Sequence, residues 1–382
     1  MIDYASTRGK SRREEDENIE RLDLPLIDCG LGESPFGLPN SIKEFLRNPN
    51  TNEALRDSVE HYQADRYFER AARLIRERFD LPDGSDAPRI FLSEGGSYAL
   101  LDKIILVLPD LTTEHEIGVM GVGPQFPNIA GLVKQHGVMP DGKLRFPYMS
   151  IKPSLELPLS EKIRMLIEMR KRENGYRFIY VDNPNNPTGD FAPIEAIEEL
   201  VQFTMEKGDV LIIDEAYGDV LPDDQSAIRL TTSYPRLIVI RGMVKVIGAP
   251  GLRIGYGVFS KDIGDIFENV PLVFGISGPQ QLIGYPILQP EILREHFSTI
   301  IPRIETIKKV LREGLESLGL WIAPTHPSVP IMLVKGPSGF FRMLARYQIV
   351  TEKGSDFQET YPLDDSFVRM RIPEVWRMFM KL

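Results

Sequence analysis

Arg241-Gly242-Met243-Val244-Lys245-Val246-Ile247-Gly248-Ala249-Pro250-Gly251-Leu252-Arg253-Ile254-Gly255-Tyr256 is the stretch from which the rest of the chain is read. It follows the run Leu237-Ile238-Val239-Ile240, apolar, β-branched and short enough to be a buried strand. Lys245 therefore sits just past a strand end, where open α/β sheets gather their ligands. Gly248 and Gly251 let the backbone turn tightly, and Arg253 then supplies a fixed cation able to grip a phosphate at two points. A nucleophilic amine and a phosphate anchor on one loop point to a pyridoxal phosphate site. The plainer alternative is a surface lysine in a Gly-rich turn.

Composition narrows the classes. A chain of 382 residues with 42% hydrophobic content can bury a large core, and its length suggests two domains. Its 45 Lys and Arg against 55 Asp and Glu give a formal charge of −10. No long basic run interleaved with aromatics occurs, so nucleic acid is not an expected partner. The sole cysteine, Cys29, rules out an intramolecular disulfide framework or a Cys-rich metal site, favours a reducing compartment, and reads as a small buried hydrophobe rather than a catalytic thiol. The N-terminus carries Arg12-Arg13-Glu14-Glu15-Asp16-Glu17 and no apolar signal core. No uncharged stretch reaches membrane-spanning length, so a soluble, cytoplasmic protein is expected.

Residues 1 to about 24 are rich in charge and suggest a mobile or surface-lying arm. A Gly/Pro-broken loop follows, from Gly30 to Gly37, either an ordinary turn or a close approach to a ligand; its Glu33 is read as a solvated carboxylate rather than a partner for a basic side chain. Tyr67, Phe68, Ala71, Leu74, Ile75 and Phe79 recur at helical spacing over 65–79. Arg89-Ile90-Phe91-Leu92 reads as a strand leading through Gly95-Gly96-Ser97 into a helix. Backbone N–H groups, a hydroxyl and the positive end of a helix dipole there favour an anion, though Gly-Gly-Ser is also a common structural turn. The strand expected over 117–122 places Phe126 just beyond its end, where a ring can stack on a flat cofactor or simply cover the sheet edge.

A helix is expected over 161–172, then the strand Phe178-Ile179-Tyr180-Val181, ending in Asp182-Asn183-Pro184-Asn185-Asn186-Pro187-Thr188-Gly189. An asparagine held between prolines is rigid, so its amide can meet a ligand oxygen with little entropic loss; a proline turn feeding the next helix, over 194–205, is the structural alternative. The apolar strand Val210-Leu211-Ile212-Ile213 runs into Asp214-Glu215-Ala216-Tyr217. A carboxylate at the end of a buried strand needs a partner, and a pyridinium N–H would serve. Near the C-terminus a long helix is expected with Ile304, Ile307, Val310, Leu311, Leu315 and Leu318 on one core-facing stripe, followed by a strand over 330–334.

Taken together, Asn186-Pro187-Thr188-Gly189, Asp214-x-x-Tyr217 and Lys245 with Arg253 resemble the fold-type-I pyridoxal phosphate family, specifically the class I and II aminotransferases. The similarity runs from about Asp28 to the C-terminus. It implies an α/β fold: a mostly parallel central sheet flanked by helices, with a smaller α+β domain. Domain bounds of 1–45 for the arm and part of the small domain, 46–285 for the large domain and 286–382 for the rest of the small one follow from it. It also implies that Lys245 holds pyridoxal 5'-phosphate as a Schiff base and shuttles the α-proton, while Asp214 pairs with the ring nitrogen. Asn186 and Tyr217 would bond the ring oxygen, Phe126 would stack on the ring, and Gly95, Gly96, Ser97 and Arg253 would hold the phosphate. Tyr62 matches a tyrosine contributed by the neighbouring subunit, which implies a homodimer with shared sites. Arg369, with Arg371 as its rival, matches the arginine that binds the substrate carboxylate.

The chain departs from the family pattern before the lysine, where relatives often carry hydroxyls and this sequence has Gly242 and Val244. A lost charge-assisted hydrogen bond costs about 1.5–3 kcal/mol unless another donor replaces it. The expected activity is transamination of an amino acid with a keto-acid acceptor. A cyclase, oxidase or decarboxylase of the same fold, acting on an arginine-like amino acid, is the alternative, and a regulatory module that binds the cofactor without turnover is a more distant one.

Overall fold

The computed structural model describes residues 19, 21–30, 34–61, 66–111, 118–137, 147–243, 245–269 and 276–373. Most of the charged arm, Glu33, Tyr62 and Val244 lie outside the described residues. The chain enters through β1 (Ile27–Asp28), α1 (Asn40–Arg47), α2 (Pro49–Glu60) and α3 (Arg66–Phe79). There follow β2 (Arg89–Ser93), α4 (Gly96–Val107), β3 (Gly118–Val122), α5 (Asn128–His136), β4 (Tyr148–Ile151), α6 (Leu159–Arg172), β5 (Tyr176–Asp182), α7 (Ile194–Lys207), β6 (Val210–Asp214), β7 (Leu237–Gly242) and β8 (Gly255–Phe259).

Strands β2 to β8, none longer than seven residues, build one seven-stranded sheet in the order β2-β8-β7-β6-β5-β3-β4. Pairs from β4 through β7 are parallel, whereas β8 is antiparallel to both β7 and β2. Both faces are covered, which is why the strands are continuously apolar rather than alternating. The period of two divides them cleanly. Leu211, Ile213, Ile179 and Val181 face one core with α6 and α7, while Val210, Ile212, Phe178 and Tyr180 face the other with α4 and α5.

After β8 come α8 (Lys261–Phe267), α9 (Gly278–Ile287), α10 (Pro290–Ser317), β9 (Trp321–Ile322), β10 (Ile331–Lys335), α11 (Phe340–Arg346), β11 (Ile349–Val350), β12 (Glu352–Lys353) and β13 (Phe367–Arg371). A second, antiparallel sheet, β12-β13-β10-β9, packs against α10 and α11 around Ile304, Ile307, Leu311, Met332, Val334, Val368 and Met370. The entering strand β1 joins this unit by pairing in parallel with β11. The fold is thus a mostly parallel α/β sheet with a smaller α+β unit.

Two expected elements shift. α10 begins at Pro290, well before Ile304, and carries Pro302 in its interior. Leu293, His296 and Ile300 extend the buried stripe past that proline, and their packing outweighs the roughly 3 kcal/mol cost of an internal proline. α4 starts at Gly96 with Gly95 as its N-cap, so Ser97 lies inside the first turn rather than ahead of it. Among the described residues, no helix is long and apolar enough to cross a membrane.

Candidate active site

The carboxyl ends of the parallel strands converge on one cleft. It is lined by Gly96, Ser97 and Tyr98 after β2, Phe126 after β3, Asp182, Pro184 and Asn186 from β5, Asp214, Ala216 and Tyr217 from β6, and Lys245 and Arg253 after β7. Parity explains the floor. Asp182 and Asp214 are in register on adjacent strands, and Tyr180, two residues before Asp182, shares their face. The Tyr180 hydroxyl donates to Asp214 Oδ2 at 3.0 Å, and the Ala216 N–H donates to Oδ1 at 2.9 Å. Burial pushes the Asp214 carboxyl up to about 6, against the pull of those two donors and the Lys245 charge.

Asp182 is a second buried carboxylate on this floor. It collects the backbone N–H of Phe126, the backbone N–H of Asn186 and the side-chain amide of Asn185, each at 2.9 Å. Burial still pushes it up to about 7, and the neighbouring Asp214 charge works in the same direction. Asp182 thereby ties the loop bearing Phe126 to the loop bearing Asn185 and Asn186.

Lys245 Nζ lies 5.6 Å from the centre of the Tyr217 ring. The Tyr217 hydroxyl is buried and makes no hydrogen bond. Phe126 is half-buried and meets the edge of Tyr98 at 6.3 Å. Arg253, exposed and held in the left-handed region at φ 52°, donates from Nη2 to the Gly95 carbonyl at 2.9 Å. Backbone passes very close here: a Cβ on Gly255 would stand 2.5 Å from Ser97 N.

Arg369 is buried beside Asn186, its Nη1 donating to Asn186 Oδ1 at 3.3 Å. Its Nη2 donates to the Gly30 carbonyl and meets Glu352 Oε2 at 2.8 Å. Arg371 turns instead to Asp28, reaching its carbonyl at 2.7 Å and its carboxylate at 3.7 Å. Of the two rivals, Arg369 is the one at the cleft's edge. Tyr62 is outside the described residues.

A buried ion network braces the turn that carries Tyr217. Arg241 bonds Glu215 at 2.9 Å and Asp219 at 3.0 Å, and Arg78 adds Asp219 at 3.1 Å and Asp223 at 2.7 Å. Burial opposes the Arg241 charge, but Glu215 and Asp219 overcome it and raise its pKa. Cys29 is fully buried, which drives its thiol up to about 12 and leaves it inert.

The cleft suits pyridoxal phosphate on its own features. Tyr217 lines it and has a buried hydroxyl without a partner, Asp214 offers an acceptor at its floor, and the glycine-lined turn at the N-terminus of α4 stands against an arginine. Asp182, Tyr180, Tyr98 and Glu352 were not singled out from sequence. Asp182 carries the same sequence signal as Asp214, a carboxylate ending an apolar strand, and the Asn-Pro run after it is a second polar signal that masks it. The pairing of Glu352 with Arg369 depends on strand register, which one sequence does not display.

A sequence profile described as aminotransferase class I and II matches residues 148–375. Histidinol-phosphate aminotransferase of Sinorhizobium fredii is 32% identical over 163 residues, covering 43% of this chain and 42% of that protein. That of Methanococcus maripaludis is 26% identical over 310 residues, covering 81% of this chain and 72% of the relative. A crystal structure of the Sinorhizobium meliloti histidinol-phosphate aminotransferase, in complex with pyridoxal-5'-phosphate, superposes with a TM-score of 0.70 at 19% identity, covering 97% of this chain and 91% of that one.

Proposed function

The chain belongs to the class I and II aminotransferase family, and on that premise we propose that it is a pyridoxal phosphate-dependent aminotransferase that works through Lys245 on an amino acid bearing a single carboxylate. The observation that carries the reading is that Lys245, Asp214 and Tyr217 line one cleft, the tyrosine with a buried hydroxyl that has no partner.

Bound pyridoxal phosphate supplies an electron sink that stabilises negative charge at the substrate α-carbon. The chain's own residues do the rest. Asp214 would hold the ring nitrogen protonated, its carboxylate kept charged by the Tyr180 hydroxyl and the Ala216 N–H. Tyr217 and Asn186 would hold the ring oxygen, and Phe126 would cover one face of the ring. Gly95, Gly96, Ser97 and Arg253 would hold the phosphate, with backbone N–H groups and the α4 dipole standing in for the hydroxyls absent at Gly242 and Val244. Lys245 would attach the cofactor and, when released by substrate, move the α-proton. Arg369 would anchor the substrate carboxylate.

In this reading the large cofactor-binding unit spans 46–285, and the small unit joins 286–382 to the segment up to 45; the β1–β11 pairing supports that union. A homodimer with shared sites is part of the same proposal. Its support is the exposure of Arg253 in the single chain, which leaves room for a second copy to complete the phosphate site with its Tyr62.

The test is to follow the cofactor's visible absorbance while amino acids are added singly without an acceptor, with keto acid assayed in parallel. One equivalent of keto acid per site, reversed by an added acceptor keto acid, is expected. Continued turnover without acceptor would overturn transamination. Retention of the lysine-linked cofactor band in Lys245→Ala would overturn the lysine assignment.

A further inference from the structure

The guanidinium assigned to the substrate already holds a carboxylate. Arg369 Nη2 donates to the Gly30 carbonyl and forms an ion pair with Glu352 Oε2, 2.8 Å away. Nη1 is turned to Asn186, and Nε is buried without an acceptor. A two-point grip on an incoming carboxylate therefore requires Nη2 to be released. Sheet register makes the contact: β12 and β13 pair antiparallel with Glu352 directly opposite Arg369. The members differ in exposure. The Arg369 side chain is 2% exposed and that of Glu352 15%, so the carboxylate is the one with a route outward. The other cation on that face, Arg371, is already occupied by Asp28.

We propose that Glu352 is the resident counter-ion of Arg369 and a specificity-determining residue, exchanging with a singly charged substrate carboxylate and discriminating against a doubly charged group such as a phosphomonoester. The inference rests on Arg369 as the substrate anchor. Replacing one carboxylate by another leaves the local charge unchanged. A dianion in the same place leaves an extra negative charge beside the displaced Glu352, while Arg371 on the same strand is engaged by Asp28. Glu352 thus lowers affinity for all anions, and for dianions most.

The experiment compares the holoenzyme with Glu352→Gln, which keeps shape and strand pairing. Inhibition constants of acetate and inorganic phosphate are measured against the amino-acid donor, together with KM and kcat for that donor. Glu352→Gln is expected to tighten acetate by about threefold and phosphate by about tenfold or more, with KM lowered and kcat held within about twofold. Unchanged or weakened binding of both anions, or equal tightening of the two, would overturn the proposal. Arg369→Lys separates the layers. If it raises KM at least about tenfold while Glu352→Gln changes nothing, the anchor stands and the counter-ion role falls. If Arg369→Lys leaves KM and both inhibition constants unmoved, the anchor assignment itself fails, and the counter-ion role with it.

Discussion

Replacing Asp182 by asparagine tests how the floor of the cleft is held. In the native protein its Oδ2 accepts both backbone N–H groups, from Phe126 and Asn186, and Oδ1 accepts from Asn185 Nδ2. Asn185 has no freedom to turn away: the same amide donates to the Pro124 carbonyl at 2.8 Å, and its oxygen accepts the Thr188 hydroxyl at 2.6 Å. An asparagine at 182 must therefore aim its NH₂ at one donor or at two. That is a pH-independent penalty of about 1–3 kcal/mol. Against it stands the cost of a buried charge. The Asp182 carboxyl is raised from 3.8 to about 7, so between those values the folded state binds a proton that the unfolded chain has lost. For an acid with a raised pKa, stability is greatest below the unfolded value and falls as pH rises toward the folded one. From pH 5 to pH 7 the wild type should lose roughly 2 kcal/mol through this group, and Asp182→Asn should lose none of it. Asp214, also raised, adds a slope of the same sign to both proteins. Urea unfolding of the cofactor-free proteins at pH 5, 6, 7 and 8 should show the variant starting below wild type and closing the gap by neutral pH. Parallel stability–pH curves would refute the reasoning.

Three further outcomes are expected. Arg241→Met strands Glu215 and Asp219 without their buried cation and should cost about 3–5 kcal/mol, read from the urea midpoint and slope. Tyr180→Phe removes the donor that keeps Asp214 charged. The pH below which the apoprotein loses cofactor affinity should therefore move upward, measured by titrating pyridoxal phosphate across a pH series. Gly248→Ala should unseat the lysine loop, because a Cβ there would stand 2.2 Å from the Gly37 carbonyl oxygen and the residue sits at φ 74°. The backbone strain alone is worth about 1–3 kcal/mol, and cofactor content after dialysis with the thermal midpoint checks it.

Much of the framework was legible because parallel strands covered on both faces are continuously apolar, as Val210-Leu211-Ile212-Ile213 shows. Chemistry placed where such a run stops abruptly, as at Asp214, stands out against it. The residues that escaped notice act across the chain rather than along it. Tyr180 looks like any core aromatic until sheet parity sets it beneath Asp214. Glu352 lies in a two-residue strand too short for any periodic signal, and only pairing with β13 brings it to Arg369. The start of α10 is hidden for the opposite reason: Pro302 is a strong local stop signal, and only tertiary packing on both sides of it overrides that signal.

The parallel pairing of β1 with β11 also bears on how the protein is made. Ile27 and Asp28 leave the ribosome early, yet their partners Ile349 and Val350 emerge more than three hundred residues later, and the Cys29 carbonyl waits for the N–H of Arg371. The seven-stranded sheet has all its strands once Phe259 has emerged. During synthesis the first strand must stay unclaimed beside a finished larger sheet, and its own core closes only once β11 and β13 have emerged. Termination between the codons for Phe259 and Ile349 should therefore yield a chain with the larger sheet complete and an unpaired β1.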